Sequence, residues 1–175
     1  AFGKPYLLFP ELPTHSSLTL QHFSYLLLIN KYLKVDLLTK ENSLFIDYGH
    51  GYGNMSRILL LLNNKINIHI LDLETMLIIQ KSFHKNTINS SLLDRIEYFK
   101  SDDYESKILK KYYHKHFNAT FSLSETNIQN RKKWTIFIDD NIDSFFIAYQ
   151  EEFDQIKNLG WVKNTIDKLS KKFNI

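Results

Sequence analysis

The densest concentration of chemistry-bearing residues in the chain is Phe45-Ile-Asp-Tyr-Gly-His-Gly-Tyr-Gly53, which holds three of its five glycines within five positions. Glycine tolerates positive φ and lets backbone approach a ligand closely. A helix that starts just beyond such a loop offers N–H groups with no intrahelical acceptor. Asp72 follows Gly53 by nineteen residues and closes the next apolar run. A carboxylate there, at the carboxyl end of a second parallel strand, can accept both hydroxyls of a ribose. It can equally serve as a helix N-cap, for which Asp is a favoured type.

The spacing discriminates between nucleotide classes. A dinucleotide fingerprint adds a helix-packing glycine, which would fall at Met55 or Ser56, and neither is glycine. Asp47 stands two residues before Gly49. Acid, glycine loop and second acid together suit a cationic nucleoside better than a pyrophosphate. A dinucleotide-binding oxidoreductase is the alternative enzyme reading.

The elements needed to position these groups can be read along the chain. Residues 1–40 form a lead-in with all three prolines, then a helix over Leu18–Leu38 with Thr14 or Ser16 as N-cap. Residues 41–175 alternate strands and helices. Strands are predicted at Ser43–Tyr48, Ile66–Leu71, Arg95–Lys100, Phe117–Leu123 and Phe145–Tyr149. Helices are predicted at Met55–Leu62, Thr75–His84, residues 104–115, Ile128–Asn141 and Asn164–Lys172. This order predicts an α/β fold: a Rossmann-like three-layer sandwich with a mostly parallel sheet and an N-terminal helical segment.

Composition narrows the class. The 175 residues carry a net charge of +3, and the basic runs are short (Lys110-Lys111, Arg131-Lys132-Lys133, Lys171-Lys172). These read as solvated helix faces, and no nucleic-acid partner is expected. Apolar runs such as Ile58–Leu62 fall far short of the ~20 residues that span a bilayer, so no membrane partner is expected. With no cysteine, disulfides and thiolate chemistry are excluded, and a cytoplasmic setting is expected. The start at Ala1 without an initiator Met reads as a piece of a longer protein. Oligomeric state is left unspecified.

Three segments carry a resemblance to a known family. They are Phe2-Gly-Lys-Pro5 with Pro10 and Pro13; Asp47-Tyr-Gly-His-Gly-Tyr-Gly53 with Asp72-Leu-Glu-Thr75 and Gln80; and Ser122-Leu-Ser-Glu125 with Arg131 and Phe146-Ile-Ala-Tyr-Gln150. Together they resemble the class I S-adenosylmethionine-dependent methyltransferases, and more narrowly the putative sugar O-methyltransferases. His50 stands where a glycine is common, no proline follows Leu73, and the chain ends soon after its fifth strand, where such folds usually add two more.

The resemblance implies S-adenosylmethionine as cofactor and a small-molecule, carbohydrate acceptor methylated on a hydroxyl. Gly49, Gly51 and Gly53 would face the methionine part, and Asp47 would balance its cationic centre. Asp72 would hold the ribose and Leu73 would pack on the adenine. Asp103, or equally Asp102, would lie near the adenine amino group. Ser122, Ser124 and Glu125 would sit where methyl and acceptor meet. Glu125 is the expected base, with a helix-start carboxylate as its structural alternative. His50 is the second candidate base; its structural alternative is a partly exposed loop histidine. Asp139-Asp140-Asn141 has an oxygen-ligand composition but falls at a helix end, so no metal is expected. His114 and His116 are expected at the surface. A truncated or degenerate domain that binds without catalysis is the non-enzymatic alternative.

Overall fold

The computed structural model describes residues 16–33 and 41–173. Phe2-Gly-Lys-Pro5, Pro10, Pro13, Thr14 and residues 34–38 of the expected helix lie outside the described residues. Five parallel strands, β1 (Ser43–Tyr48), β2 (Asn67–Asp72), β3 (Ile96–Lys100), β4 (His114–Thr120) and β5 (Ser144–Ala148), pair in the order β3-β2-β1-β4-β5. Helices α1 (Ser17–Leu33), α2 (Asn54–Leu62), α3 (Glu74–Thr87) and the single turn α4 (Ser90–Leu93) belong to one layer. Helices α5 (Ile128–Asn141) and α6 (Asn158–Phe173), with 3₁₀ turns at Ser106–Lys111 and Ser122–Glu125, form the other. A two-residue hairpin, β6 (Glu152–Phe153) and β7 (Ile156–Lys157), precedes α6. The fold is therefore the Rossmann-like α/β sandwich expected from the sequence.

Central β1 is buried along its whole length, as a parallel strand covered on both faces must be. Alternation then divides its side chains. Phe45 joins Ile68, Ile70, Met55, Leu59 and Ile29 on one face, while Leu44, Ile46 and Tyr48 join Phe117, Trp134 and Ile138 on the other. The second core is aromatic: Trp134 packs 4.9 Å from Tyr48 and 5.6 Å from Phe117, centroid to centroid. Tilted aromatic contacts of this kind add about 0.5–1.5 kcal/mol each beyond area burial.

Helix α1 is preceded by Ser16, whose Oγ accepts the Thr19 N–H at 3.2 Å, as an N-cap does. Leu26 and Ile29 of α1 enter the same core as α2.

Four expectations need correction. Residues 104–115 are not a helix; a 3₁₀ turn covers Ser106–Lys111 and β4 begins at His114. Buried His69 of β2 hydrogen-bonds the hydroxyls of both Tyr104 (2.7 Å) and Tyr112 (3.0 Å), which pins the two ends of that segment over the sheet. Strand β4 stops at Thr120 rather than Leu123, because Phe121 adopts φ 69° and Ser122–Glu125 turn back in a 3₁₀ turn. His116 is not a surface residue, and His114 is half-buried. His116 is fully buried, stacks on Phe45 at 5.2 Å and bonds Ser144 Oγ through Nδ1 at 2.9 Å; His114 bonds the same oxygen at 3.0 Å. Finally, α6 begins at Asn158 instead of Asn164, because buried Asn158 ties the start of the helix to the Gln150 and Ser124 carbonyls.

Candidate functional site

The chain order β3-β2-β1-β4-β5 reverses winding direction between β1 and β4. In open α/β sheets the crevice beyond the carboxyl ends at such a switch point is where ligands bind. Gly49 and Ser122 meet at that point. Ser122 Oγ donates to the Tyr48 carbonyl at 2.5 Å, and Gly49 has φ +67°. A Cβ on Gly49 would lie 2.1 Å from Ser122 Cβ, so the contact between the two loops requires glycine. Gly51 differs: it too has positive φ, +61°, but a Cβ there would meet nothing within 4 Å. The loop is thus packed at Gly49 and open at Gly51.

Helix α3 holds the loop from behind. Gln80 is fully buried, and its Nε2 donates both to the Gly51 carbonyl and to Asp72 Oδ2, each at 2.7 Å. One turn later His84 Nε2 donates to the Gly53 carbonyl at 2.7 Å, and its Nδ1 pairs with Tyr98 Oη at 2.7 Å. Asp72 Oδ1 accepts the Leu73 N–H at 2.8 Å. Burial raises the Asp72 pKa above the ordinary carboxylate value, against the lowering effect of those hydrogen bonds. Leu73 beside it is 68% exposed, a large apolar side chain facing solvent at the mouth of the crevice.

Asp47 is turned inward. Its carboxylate is 1% exposed, pairs with His50 Nδ1 and accepts Asn118 Nδ2 at 2.7 Å. The His50 ring is wholly buried, which corrects the alternative view of it as a partly exposed loop histidine. Burial opposes a charge on His50, yet the Asp47 carboxylate outweighs it and holds the imidazole above its ordinary pKa. Asn54, the first residue of α2, bonds Thr19 Oγ1 at 3.2 Å and approaches His22 Nδ1 at 3.4 Å, tying the loop to α1.

The β4 side of the crevice is anchored by Arg131. This fully buried guanidinium donates to Thr126 O (2.8 Å), Ser124 O (2.6 Å) and Asn158 Oδ1 (2.5 Å) and lies 5.2 Å from the Trp161 ring centre. Among the described residues it forms no ion pair with a carboxylate. Its fork instead holds the turn that carries exposed Glu125, whose Oε1 is hydrogen-bonded by Gln150 Nε2. Ser124 is buried under the turn, its Oγ donating to Phe121 O at 2.6 Å.

Asp102 and Asp103 are exposed in the turn after β3; Asp102 lies 3.8 Å from Lys133 Nζ, and the Asp103 N–H reaches Lys100 O at 3.0 Å. Asp139-Asp140-Asn141 ends α5, with Asp139 3.7 Å from Lys168 Nζ. Among the described residues no cluster of three or more His, Asp or Glu side chains is placed to hold a metal, and no helix is long and apolar enough to cross a membrane.

Of the residues singled out in the sequence, Gly51 and Asp72 share the Gln80 side-chain amide, and Leu73 follows Asp72 with its side chain exposed. The sequence did not reveal His84, Tyr98 and Asn118 as partners of the loop. The spacing of Gln80 and His84, four apart on the helix after Asp72, was the signal available for two residues on one face.

No protein-family model and no curated protein matches the sequence. Solved structures do match. The methyltransferase domain of bacterial CtHen1 superposes with a TM-score of 0.63 at 14% identity, over 86% of this chain and 83% of that one. The glycopeptide N-methyltransferase MtfA complexed with sinefungin gives 0.54 at 12% identity, over 83% and 56%. An O-methyltransferase family protein from Burkholderia thailandensis gives 0.50 at 11% identity, over 73% and 38%, so this chain spans well under half of that protein's length. The chain has the fold of the class I S-adenosylmethionine-dependent methyltransferases.

Proposed function

We propose that the chain binds S-adenosylmethionine across the carboxyl ends of β1, β2 and β4 and transfers its methyl group to a hydroxyl of a small acceptor, a sugar by family resemblance. One observation carries this reading. Asp72, Gln80 and the Gly51 carbonyl form a continuous hydrogen-bonded unit at the carboxyl ends of β1 and β2, with Gly51 open in front and Leu73 exposed beside it. That arrangement fits a nucleoside: a carboxylate for ribose hydroxyls, an apolar surface for a base, and backbone without side chains for the remaining part.

When bound, S-adenosylmethionine supplies a methyl group on a sulfonium, open to in-line attack by an oxygen nucleophile. The chain's own residues position and deprotonate. Gly49, Gly51 and Gly53 admit the methionine part, Asp72 accepts the ribose hydroxyls, and Leu73 covers the adenine, with Asp103 or Asp102 near its amino group. Ser122 closes the crevice from the β4 side. Positioning of this sort lowers the barrier by turning a bimolecular step into an effectively unimolecular one. The hydroxyl proton needs a base within reach. Exposed Glu125, oriented by Gln150, is that base in our reading. His50 is a weaker candidate, because its ring is buried and its Nδ1 is held by Asp47. The Asp47–His50 pair acts instead as a fixed charge pair beneath the loop.

Calorimetric titration of the purified chain with S-adenosylmethionine and with NADH tests the reading. The first should bind and the second should not. Asp72→Ala should weaken binding by about ten- to hundredfold, the scale of a hydrogen bond to a charged group. A folded chain that ignores S-adenosylmethionine overturns the proposal, and binding of NADH alone moves it to the oxidoreductase class.

A further inference from the structure

We infer that His84, backed by Tyr98, is a positioning residue that fixes the end of the glycine loop where it enters α2; this rests on reading that loop as the cofactor site. The hydrogen bonds define the proton positions by elimination. The Gly53 carbonyl can only accept, so His84 Nε2 carries the proton. A neutral imidazole then has a bare Nδ1, and the Tyr98 hydroxyl must donate to it. The relay runs in one direction, from Tyr98 O–H through the ring to the Gly53 carbonyl. Burial keeps the ring neutral, pushing its pKa down to about 4, and the neighbouring His50 charge adds to this.

The consequence reaches the ligand side through peptide geometry. In a trans peptide the N–H points opposite to the C=O. The Gly53 carbonyl accepts from both His84 Nε2 and the Arg57 N–H of α2 (3.3 Å), and fixing it so turns the Asn54 N–H to the opposite side; Asn54 is the first residue of α2, where N–H groups have no acceptor within the helix. Gln80 does the same to the Gly51 carbonyl and hence to the Tyr52 N–H. The two side chains sit one turn apart on α3 and aim two loop donors, the Tyr52 and Asn54 amides.

Gly53 is built for this contact. It has φ +108°, and a Cβ on it would fall 2.6 Å from His84 Nε2 and 2.9 Å from Cε1. No other residue lets the imidazole come this close. The His84 ring is fully buried with its full complement of partners, and a phenyl ring fills nearly the same space without any donor.

The test compares wild type, His84→Phe, His84→Gln and Tyr98→Phe by two readouts. Amide hydrogen exchange across Tyr52–Arg57 is followed in the ligand-free protein, and S-adenosylmethionine affinity is measured by calorimetry. His84→Phe should exchange the Arg57 amide, which donates to the same Gly53 carbonyl at 3.3 Å, about tenfold faster and bind about tenfold more weakly, the effect of one lost hydrogen bond. His84→Gln, whose amide N–H replaces Nε2–H, should stay within about threefold of wild type in both. A folded His84→Phe with unchanged exchange and affinity overturns the inference, as does a His84→Gln equally damaged. If His84→Phe does not fold, Tyr98→Phe, which keeps the ring in place, takes over: faster exchange of the same amide supports the inference, and unchanged exchange overturns it. Should wild type itself fail to bind, the proposed function falls, while the exchange measurement still decides the role of His84.

Discussion

Gly49 and Ser122 interlock so tightly that the space for one methyl group on Gly49 is already occupied by Ser122 Cβ, 2.1 Å from where it would stand. Gly49→Ala thus combines a positive-φ penalty with overpacking, roughly 2–5 kcal/mol in all. Gly51→Ala carries only the backbone penalty, about 1–2 kcal/mol, because nothing lies within 4 Å of its added Cβ. The pair should separate stability from binding. Denaturant melts should show Gly49→Ala as the far less stable protein. Calorimetry should show Gly51→Ala folded but weak for S-adenosylmethionine, since its methyl occupies the open side. Equal stability of the two variants would contradict the packing described.

Glu125 ends the turn whose first residue, Ser122, packs on Gly49, but its own carboxylate is exposed and bonded by Gln150 rather than by the glycine loop, so its substitution should spare cofactor binding. Glu125→Gln should keep the S-adenosylmethionine affinity and lower kcat by at least ~100-fold, the usual scale for a lost general base. Gln150→Ala should give a smaller fall, since it removes only the orienting partner of the carboxylate. Turnover with a hydroxyl acceptor, measured as S-adenosylhomocysteine released, checks both. Undiminished kcat in Glu125→Gln removes Glu125 from the mechanism.

Among the described residues, the hydrogen bonds of the buried Arg131 guanidinium all go to carbonyl and amide oxygens. Lysine keeps the charge but not the planar fork that reaches Thr126, Ser124 and Asn158 at once. Arg131→Lys should destabilise the protein by about 2–3 kcal/mol through unsatisfied buried groups. It should also lower kcat more than cofactor affinity, because Arg131 holds the Ser124 and Thr126 carbonyls that flank Glu125, whereas the Gly51 and Gly53 carbonyls keep their separate hold from Gln80 and His84. A urea melt and steady-state kinetics together read both effects.

Acid should unfold the protein earlier than its carboxylates alone require. Burial lowers His22, His69 and His84 to about 4 and His116 to about 3, against 6.5 when unfolded. Below pH 6.5 the unfolded chain therefore binds protons that the folded chain refuses, and each such histidine removes up to ~1.4 kcal/mol per pH unit. The contribution is present above 6.5 and is lost as pH falls toward about 4. His50, raised by Asp47, acts in the opposite sense: its contribution is present below 6.5 and lost as pH rises through its folded value. The four lowered groups outnumber it. Urea midpoints should fall steeply between pH 6.5 and 4, and a flat profile there would count against these burials.

What the sequence revealed was governed by locality. Strand β1, the glycine loop and α5 were legible at their observed positions, because their signals are period and composition within a few residues. The carboxylate at the end of β2 was legible for the same reason. The segments either side of Phe117–Thr120, from Tyr104 to His116 and from Phe121 to Glu125, were not. Their shapes depend on His69, thirty-five residues before Tyr104, and on a backbone reversal at Phe121 that no residue-type preference announces. His116 reads as surface by its polarity and its basic neighbours, yet Ser144 and Phe45 from the adjacent strands complete its environment. The back of the site was hidden likewise, because Gln80 and His84 act on carbonyls about thirty residues earlier in the chain.

The grip of α3 on the Gly51 and Gly53 carbonyls makes the loop and the helix one thermodynamic unit. A ligand that favours the ordered loop must also favour the docked α3, by reciprocity of coupled equilibria. Occupancy of the crevice should then be felt as slowed opening of α3 and of Tyr98 on edge strand β3, residues on the far side of the loop from any ligand. The rim of the sheet becomes a reporter of what its centre holds.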